Sequence, residues 1–207
     1  MAEGVRWLWS YPPVRTLVLT IVTFNVTFGA AWSVLVLYAG QRLGLGEIGF
    51  GLITTAGALG GLLGSAGYGR LERRLSLGTI MKAGLVIETL THLALAVTTT
   101  AWLALIVFAV FGAHASIWGT TSTSVRQRAV PSAFQGRVSS VYLMGMTGGL
   151  VVGYGLGGGI AGVWGVTAPF WFAFVGSAVL LVLIWRQLEH IAHADGPTPR
   201  AAGGTNC

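Results

Sequence analysis

The chemistry available to this sequence rests on a few ionisable residues set inside long apolar runs. Glu88 stands about ten residues into the run 77–97, and His92 follows it by four positions, so the two share one face of a helix. A charged acid at that depth costs about 2.5–3.5 kcal/mol on insertion scales, so the pair needs an explanation. Two are open: Glu88 and His92 carry a proton through a transport step, or a neutral Glu88 is hydrogen-bonded to His92 or to a neighbouring helix. His114 lies about twelve residues into the run that begins at Trp102, with Trp118 one turn further along the same face. An imidazole beside an indole suits a cavity for an aromatic or cationic substrate. It equally suits a histidine bonded to a backbone carbonyl of the next helix. Asn25, flanked by Thr23 and Thr27, either lines a cavity or ties helices together.

Nothing else in the chain has a catalytic pattern. There is no His-Glu-x-x-His, no Gly-x-Ser-x-Gly, no Walker loop and no paired Asp, so an enzyme is the weakest class and no catalytic residue, cofactor or metal site is expected. Cys207 is the one cysteine, which excludes a disulfide framework or a Cys-rich metal site. The hydroxyl run Thr120-Thr121-Ser122-Thr123-Ser124 needs no ligand, because its side chains can bond the carbonyls three or four residues back.

These residues are carried by a membrane composition. Of 207 residues, 54% are hydrophobic and 9% charged, against about 25% charged in a soluble domain. Twelve Lys and Arg outnumber six Asp and Glu. A basic patch for phosphate must lie on a wetted surface, whereas these cations fall between apolar runs, so nucleic acid is excluded as a partner and the lipid bilayer takes its place. The start, Met1-Ala2-Glu3-Gly4, lacks the basic and apolar regions of a cleavable signal peptide.

Six apolar runs, residues 17–38, 48–68, 77–97, 102–123, 138–163 and 168–186, each have the roughly 20 residues needed to cross about 30 Å of hydrocarbon as a helix. The second and fifth are rich in glycine but uncharged, and in hydrocarbon an irregular chain would leave backbone groups unpaired, so helix is the reading. The fold class is therefore all-α, a six-helix membrane domain over residues 15–188. Residues 1–14, with Trp7, Trp9 and Tyr11 beside Arg6 and Arg15, suit an interfacial segment, and residues 189–207 a disordered tail. Eleven cations fall on one side of this arrangement and Arg42 alone on the other, which places both termini in the cytoplasm. Arg70, Arg73 and Arg74, and Arg126, Arg128 and Arg137, then form basic loops there. Trp102, Trp164 and Tyr38 would mark the outer interface, and Trp185 and Tyr68 the inner one.

In the fifth run Gly145, Gly149, Gly153, Gly157 and Ala161 recur every fourth residue, with Gly155 and Gly159, and Gly158 and Gly162, widening the stripe. Gly57 with Gly61 and Gly60 with Gly64 repeat the pattern in the second. Such faces let helices approach closely, either as static packing or as surfaces that slide during transport.

The stretch Arg126-Gln127-Arg128-Ala129-Val130-Pro131, followed by Gly136-Arg137-Val138-Ser139-Ser140, resembles the junction of the tenth and eleventh helices in major facilitator superfamily (MFS) transporters. The likeness is to the enterobactin-exporter-like and macrolide-efflux-like branch. Trp7-Leu8-Trp9 before Pro12, Leu71-Glu72-Arg73-Arg74-Leu75 and Ala168-Pro169-Phe170 are similar to that branch as well. Arg70, Arg73 and Arg74 look like a degraded copy of the superfamily's cytoplasmic gating motif without its aspartate. Leu143 and Val151 stand where the pattern carries an arginine and a proline. The resemblance implies the second six helices of a twelve-helix bundle, built of two inverted three-helix units, in the plasma membrane. It further implies proton-coupled efflux of small amphipathic compounds, with Asn25, His114 and Trp118 in the cavity and the six arginines at the gate. Alternating access rocks one bundle against another, so a second half, a homodimeric copy or a separate chain, is the expected partner. The alternatives are a non-transporting membrane interaction protein that binds through its glycine faces, or an inactive truncated fragment.

Overall fold

The computed structural model describes residues 12–130 and 132–192. Among the described residues seven helices follow one another, α1 Pro12–Trp32, α2 Leu35–Gln41, α3 Glu47–Arg74, α4 Leu77–Val97, α5 Ala101–Ala129, α6 Ser132–Trp164 and α7 Ala168–Ala192, with no strand. Six stretches among the described residues are long and apolar enough to cross a membrane, and the first of them, Leu19–Gln41, joins α1 to α2. The chain is thus an all-helical, multi-pass membrane protein. Large apolar side chains stand exposed along α3 (Leu52, Leu59, Leu62, Leu63), α6 (Val151, Val152, Leu156) and α7 (Val179, Val182, Leu183). In water such faces would drive association, whereas lipid solvates them.

The first apolar run was expected as one helix, and the structure breaks it. The helix stops at Trp32 and restarts at Leu35, with the Ser33 hydroxyl donating to the Ala30 carbonyl at 2.8 Å and drawing that acceptor out of the regular ladder. The basic segments also differ from the loops expected. The fourth run continues as helix to Ala129 and the fifth begins at Ser132, so Arg126 and Arg128 occupy the last turn of α5 and Arg137 lies early in α6. Arg73 and Arg74 likewise lie in the last turn of α3. At about 1.5 Å per residue, α5 with 29 residues and α6 with 33 are longer than the hydrocarbon is thick, so their basic ends project as helix into the headgroup layer. The last helix runs to Ala192, four residues into the stretch expected as tail. Residues 1–11 of the interfacial segment and 193–207 of the tail lie outside the described residues.

The opposite end of the bundle turns on glycine. Gly44 (φ 65°) and Gly165 (φ 86°) hold the left-handed backbone that ends α2 and α6, and the Gly165 amide caps the Ala161 carbonyl at 2.9 Å.

Helix pairing shows two inverted units, α1–α4 and α5–α7. The main pairings are α3 with α5, α1 with α6, α4 with α7, α1 with α7, and α4 with α5. Exchanging α1 with α5, α3 with α6 and α4 with α7 maps this set onto itself, as a two-fold axis in the membrane plane requires. The two glycine seams are exchanged by the same operation. On α6, a Cβ at Gly149 would stand 2.8 Å from the Val22 carbonyl of α1, one at Gly153 2.5 Å from the Val26 carbonyl, and one at Gly157 would collide with Ala30 and Ser33. On α3, a Cβ at Gly60 or Gly64 would collide with the backbone of Ala109 or Ala113 of α5. Gly57 and Gly61 lie at the rim, where a Cβ would meet α5 carbonyls at 3.7 and 3.6 Å, although Gly112 of α5 sits directly against Gly57. Gly145 is half-buried. The stripe on α6 is not widened as expected: Gly148, Gly155, Gly158, Gly159 and Gly162 have nothing within 4 Å. At 3.6 residues per turn they form a second face, turned away from α1.

Tyr38 corrects another expectation. It is 0% exposed, donates its hydroxyl to the Leu95 carbonyl at 2.7 Å and packs against Phe170, so it is core and not part of an aromatic belt. Trp102 and Trp164 are exposed at the same end.

Candidate functional site

The buried face of α4 reads Leu77, Met81, Leu85, Glu88, His92 and Leu95, a stripe of three- and four-residue steps. On α5 the buried residues Ala104, Phe108, Phe111, His114, Trp118 and Val125 keep the same period. Because α4 and α5 pack together, the polar residues of the two stripes meet. One apolar cluster, with Tyr38, Leu95, Phe108 and Phe170, lies on one side of them, and another, with Met81, Leu85, Trp118 and Leu180, on the other.

Glu88 is 0% exposed and stands between two imidazoles. Its Oε2 is 3.1 Å from His114 Nε2 across the helix contact, a hydrogen bond, and its Oε1 is 3.5 Å from His92 Nε2 on its own helix, too poorly placed to be one. Neither ring nitrogen of His92 has a hydrogen-bond partner among the described residues. The carboxylate is therefore bonded to the imidazole of α5 and has the unbonded imidazole of its own helix 3.5 Å away. The imidazoles meet different carboxylate oxygens, and no group of three or more His, Cys, Asp or Glu among the described residues is arranged to hold a metal ion.

Gly84, four residues before Glu88 and on the same face, makes the approach of α5 possible. A Cβ there would stand 2.9 Å from Trp118 Cε3 and 3.2 Å from His114 Cε1. Gly84 stands outside any repeat in the sequence, and its spacing of four from Glu88 is the one signal it carries there.

In front of the three polar residues stands a ladder of aromatic rings from α1 and α5. Phe28 stacks on Trp32 with centroids 4.3 Å apart and on Phe111 at 5.8 Å, Trp32 lies 4.6 Å from Phe111, and Phe24 stacks on Trp118 at 5.9 Å. The ladder touches the imidazoles edge-on: Trp32 against His92 at 6.4 Å, Phe111 and Trp118 against His114 at 6.0 and 6.1 Å. Phe24, Phe28 and Trp32 are half-buried, so the ladder is partly exposed along α1 while its rings abut both imidazoles.

The residues expected in one cavity are thus divided. His114 and Trp118 are buried, and His114 bonds the Glu88 carboxylate and not a backbone carbonyl. Asn25 is buried in the α1–α6 seam, donating to the Ile21 carbonyl at 2.7 Å, with its Cβ 3.1 Å from where a Cβ of Gly149 would stand. Thr120, Thr121 and Thr123 each donate to the carbonyl four residues back, as expected. At the basic end, Arg128 pairs with Glu72 at 3.1 Å and links α5 to α3. Both partners are substantially exposed, so the pair is worth at most about 1 kcal/mol. Arg70, Arg73 and Arg74 are exposed on the same end of α3.

Six membrane-crossing stretches arranged as two inverted three-helix units define the architecture of a secondary transporter domain. The chain belongs to the Major Facilitator Superfamily, whose family model it matches over residues 17–204. Members of this family are membrane transporters of small molecules. No curated protein sequence matches the chain.

Proposed function

We propose that this protein is a proton-coupled exporter of small amphipathic compounds bearing a flat aromatic part, acting in the plasma membrane with its termini in the cytoplasm. The observation that carries the reading is the contact between the aromatic ladder and the Glu88 site. A ring stacking on Phe24, Phe28 or Trp32 would press on the same indole and phenyl groups that abut His92 and His114. Protonation of Glu88 removes its charge and leaves it one hydrogen to donate, to either imidazole. The ladder then repacks around whichever imidazole is engaged, which links proton state to substrate face. Efflux as the direction, and the enterobactin-exporter-like and macrolide-efflux-like branch, rest on the resemblance of residues 126–140.

Alternating access requires a second bundle facing the exposed part of the ladder, and a second half, either another copy or a separate chain, supplies it in this reading. Arg70, Arg73, Arg74, Arg126, Arg128 and Arg137 gather where the gate of such an assembly would close. Purified protein, with its partner half, is reconstituted in vesicles and an imposed pH gradient drives uptake of a fluorescent aromatic dye. The proposal expects loss of gradient-driven uptake in Glu88→Gln. Undiminished uptake in that variant would remove the proton role.

The open glycine face of α6 favours a second reading, a membrane protein that binds an unrelated helix there and transports nothing. The mass of the complex extracted in detergent separates the two: a dimer of such halves supports the transporter, a mixed complex with an unrelated protein supports the second.

A further inference from the structure

The α5–α6 junction holds a second feature, at the basic end and away from the Glu88 site. A pocket of about 110 Å³ opens there, lined by Thr123, Arg126, Gln127, Gln135 and Ser139 over a floor of Val130 and Val138. That volume accommodates several water molecules or one tetrahedral oxyanion, taking roughly 10–15 Å³ per water on this measure. Both floor valines are buried. The walls carry hydrogen-bond donors and a cation and no carboxylate.

Arg126 is held in place for binding. Its guanidinium lies over the Tyr142 ring, 3.7 Å from the centroid, and its Nη2 donates to Thr123 Oγ1 at 3.4 Å. Tyr142 is itself fixed by a 3.0 Å hydrogen bond to Ser122. A ring face and a hydroxyl orient the cation without neutralising it, whereas the nearby Arg128 is paired with Glu72. The pocket is also braced across the turn: the Gln135 amide donates to the carbonyls of Gln127 and Val130, both at 3.3 Å. A planar guanidinium pre-set on an aromatic ring, with a serine hydroxyl and a glutamine amide around it, has the donor set that suits a phosphate group.

We propose that this pocket binds a phosphate ester of net negative charge, with Arg126 as the charged anchor that a zwitterionic headgroup would satisfy less well and Gln127 and Ser139 as neutral donors. Two sources share that chemistry: the headgroup of an anionic phospholipid at the membrane surface and a free phosphorylated small molecule. The inference rests on membrane insertion of the chain and is independent of what the chain transports.

Native mass spectrometry of the detergent-purified protein, mixed with phosphatidylglycerol or phosphatidylcholine at equal concentration, tests it. The expected result is preferential retention of phosphatidylglycerol, cut about tenfold in Arg126→Gln, the loss of one charge-assisted contact, and unchanged in Arg42→Gln, which removes a cation at the opposite end. Ser139→Ala, at an exposed position that does not endanger folding, should weaken retention in the same direction. Competition by glycerol 1-phosphate assigns the site to free phosphate esters as well, and retention that it leaves untouched assigns the site to the lipid headgroup. Equal retention of the two lipids with no effect of glycerol 1-phosphate overturns the proposal, as does retention that neither Arg126→Gln nor Ser139→Ala changes.

Discussion

His114 Nε2 lies 3.1 Å from Glu88 Oε2, a hydrogen bond between side chains 26 residues apart that ties α4 to α5 in the middle of the bundle. Both groups are almost wholly enclosed, so neither can turn to water if the other is removed. Leaving a buried polar group without its partner costs about 1–3 kcal/mol. His114→Ala should therefore lower stability in detergent by about that amount, and His92→Ala by less, since His92 has no hydrogen bond to lose. Thermal unfolding of the two variants side by side checks the order, and equal losses would contradict the geometry.

Gly84 is the residue that lets that bond form. Gly84→Ala adds a methyl group 2.9 Å from the Trp118 ring and 3.2 Å from His114, an overpacking expected to cost about 1–3 kcal/mol. Because the methyl group presses most closely on the Trp118 ring, combining Gly84→Ala with Trp118→Ala should cost less than the sum of the two. A double-mutant cycle on unfolding midpoints reads this directly, and strict additivity would show that the glycine serves something else.

The glycine seams divide into positions of opposite sign. Gly60→Ala, Gly64→Ala, Gly153→Ala and Gly157→Ala each push a methyl group into backbone of the facing helix and should destabilise by about 1–3 kcal/mol. Gly155→Ala and Gly159→Ala meet nothing within 4 Å and should be neutral or stabilising by up to about 1 kcal/mol, the helix preference of alanine over glycine. Expression level and unfolding midpoint of this set are the measurement.

Tyr38→Phe removes the hydroxyl that donates to the Leu95 carbonyl while keeping the ring against Phe170. A loss of about 0.5–1.5 kcal/mol is expected, the net worth of one buried hydrogen bond, with further loss if the Leu95 carbonyl finds no other donor. Trp102→Phe, at an exposed ring of the same end, should change the midpoint far less.

The distribution of arginines predicts which end faces the cytosol. With Cys207→Ser as background, Gln127→Cys places a thiol at an exposed position of the basic end. A membrane-impermeant maleimide applied to intact cells should leave it unlabelled and label it fully once the membrane is opened. Labelling from outside would invert the orientation.

The architecture was readable from composition alone to the extent that the bilayer constrains it. In hydrocarbon a single span must bond its backbone groups within its own segment, so six predominantly apolar runs of about 20 residues read as helices, and the described residues contain six such stretches. Helix ends were less legible. Hydropathy marks where the hydrocarbon stops, whereas α5 and α6 continue as helix through Arg126, Arg128 and Arg137 because a helix already nucleated in the hydrocarbon extends at little further cost.

The sequence by itself determined that an acid and an imidazole one turn apart, Glu88 and His92, share a face inside the membrane, because a helix fixes the relation between positions four residues apart. It also determined that Gly149, Gly153 and Gly157 line up. Only the tertiary structure decided that the better partner of Glu88 is His114, that Asn25 turns into the α1–α6 seam, and that aromatic rings of α1 and α5 join in one ladder. Those relations depend on which helices pack together and at what rotation. Both are set by the sum of many weak contacts and by glycines such as Gly84 and Gly60, whose effect is felt on another helix and leaves no mark in the spacing of their own.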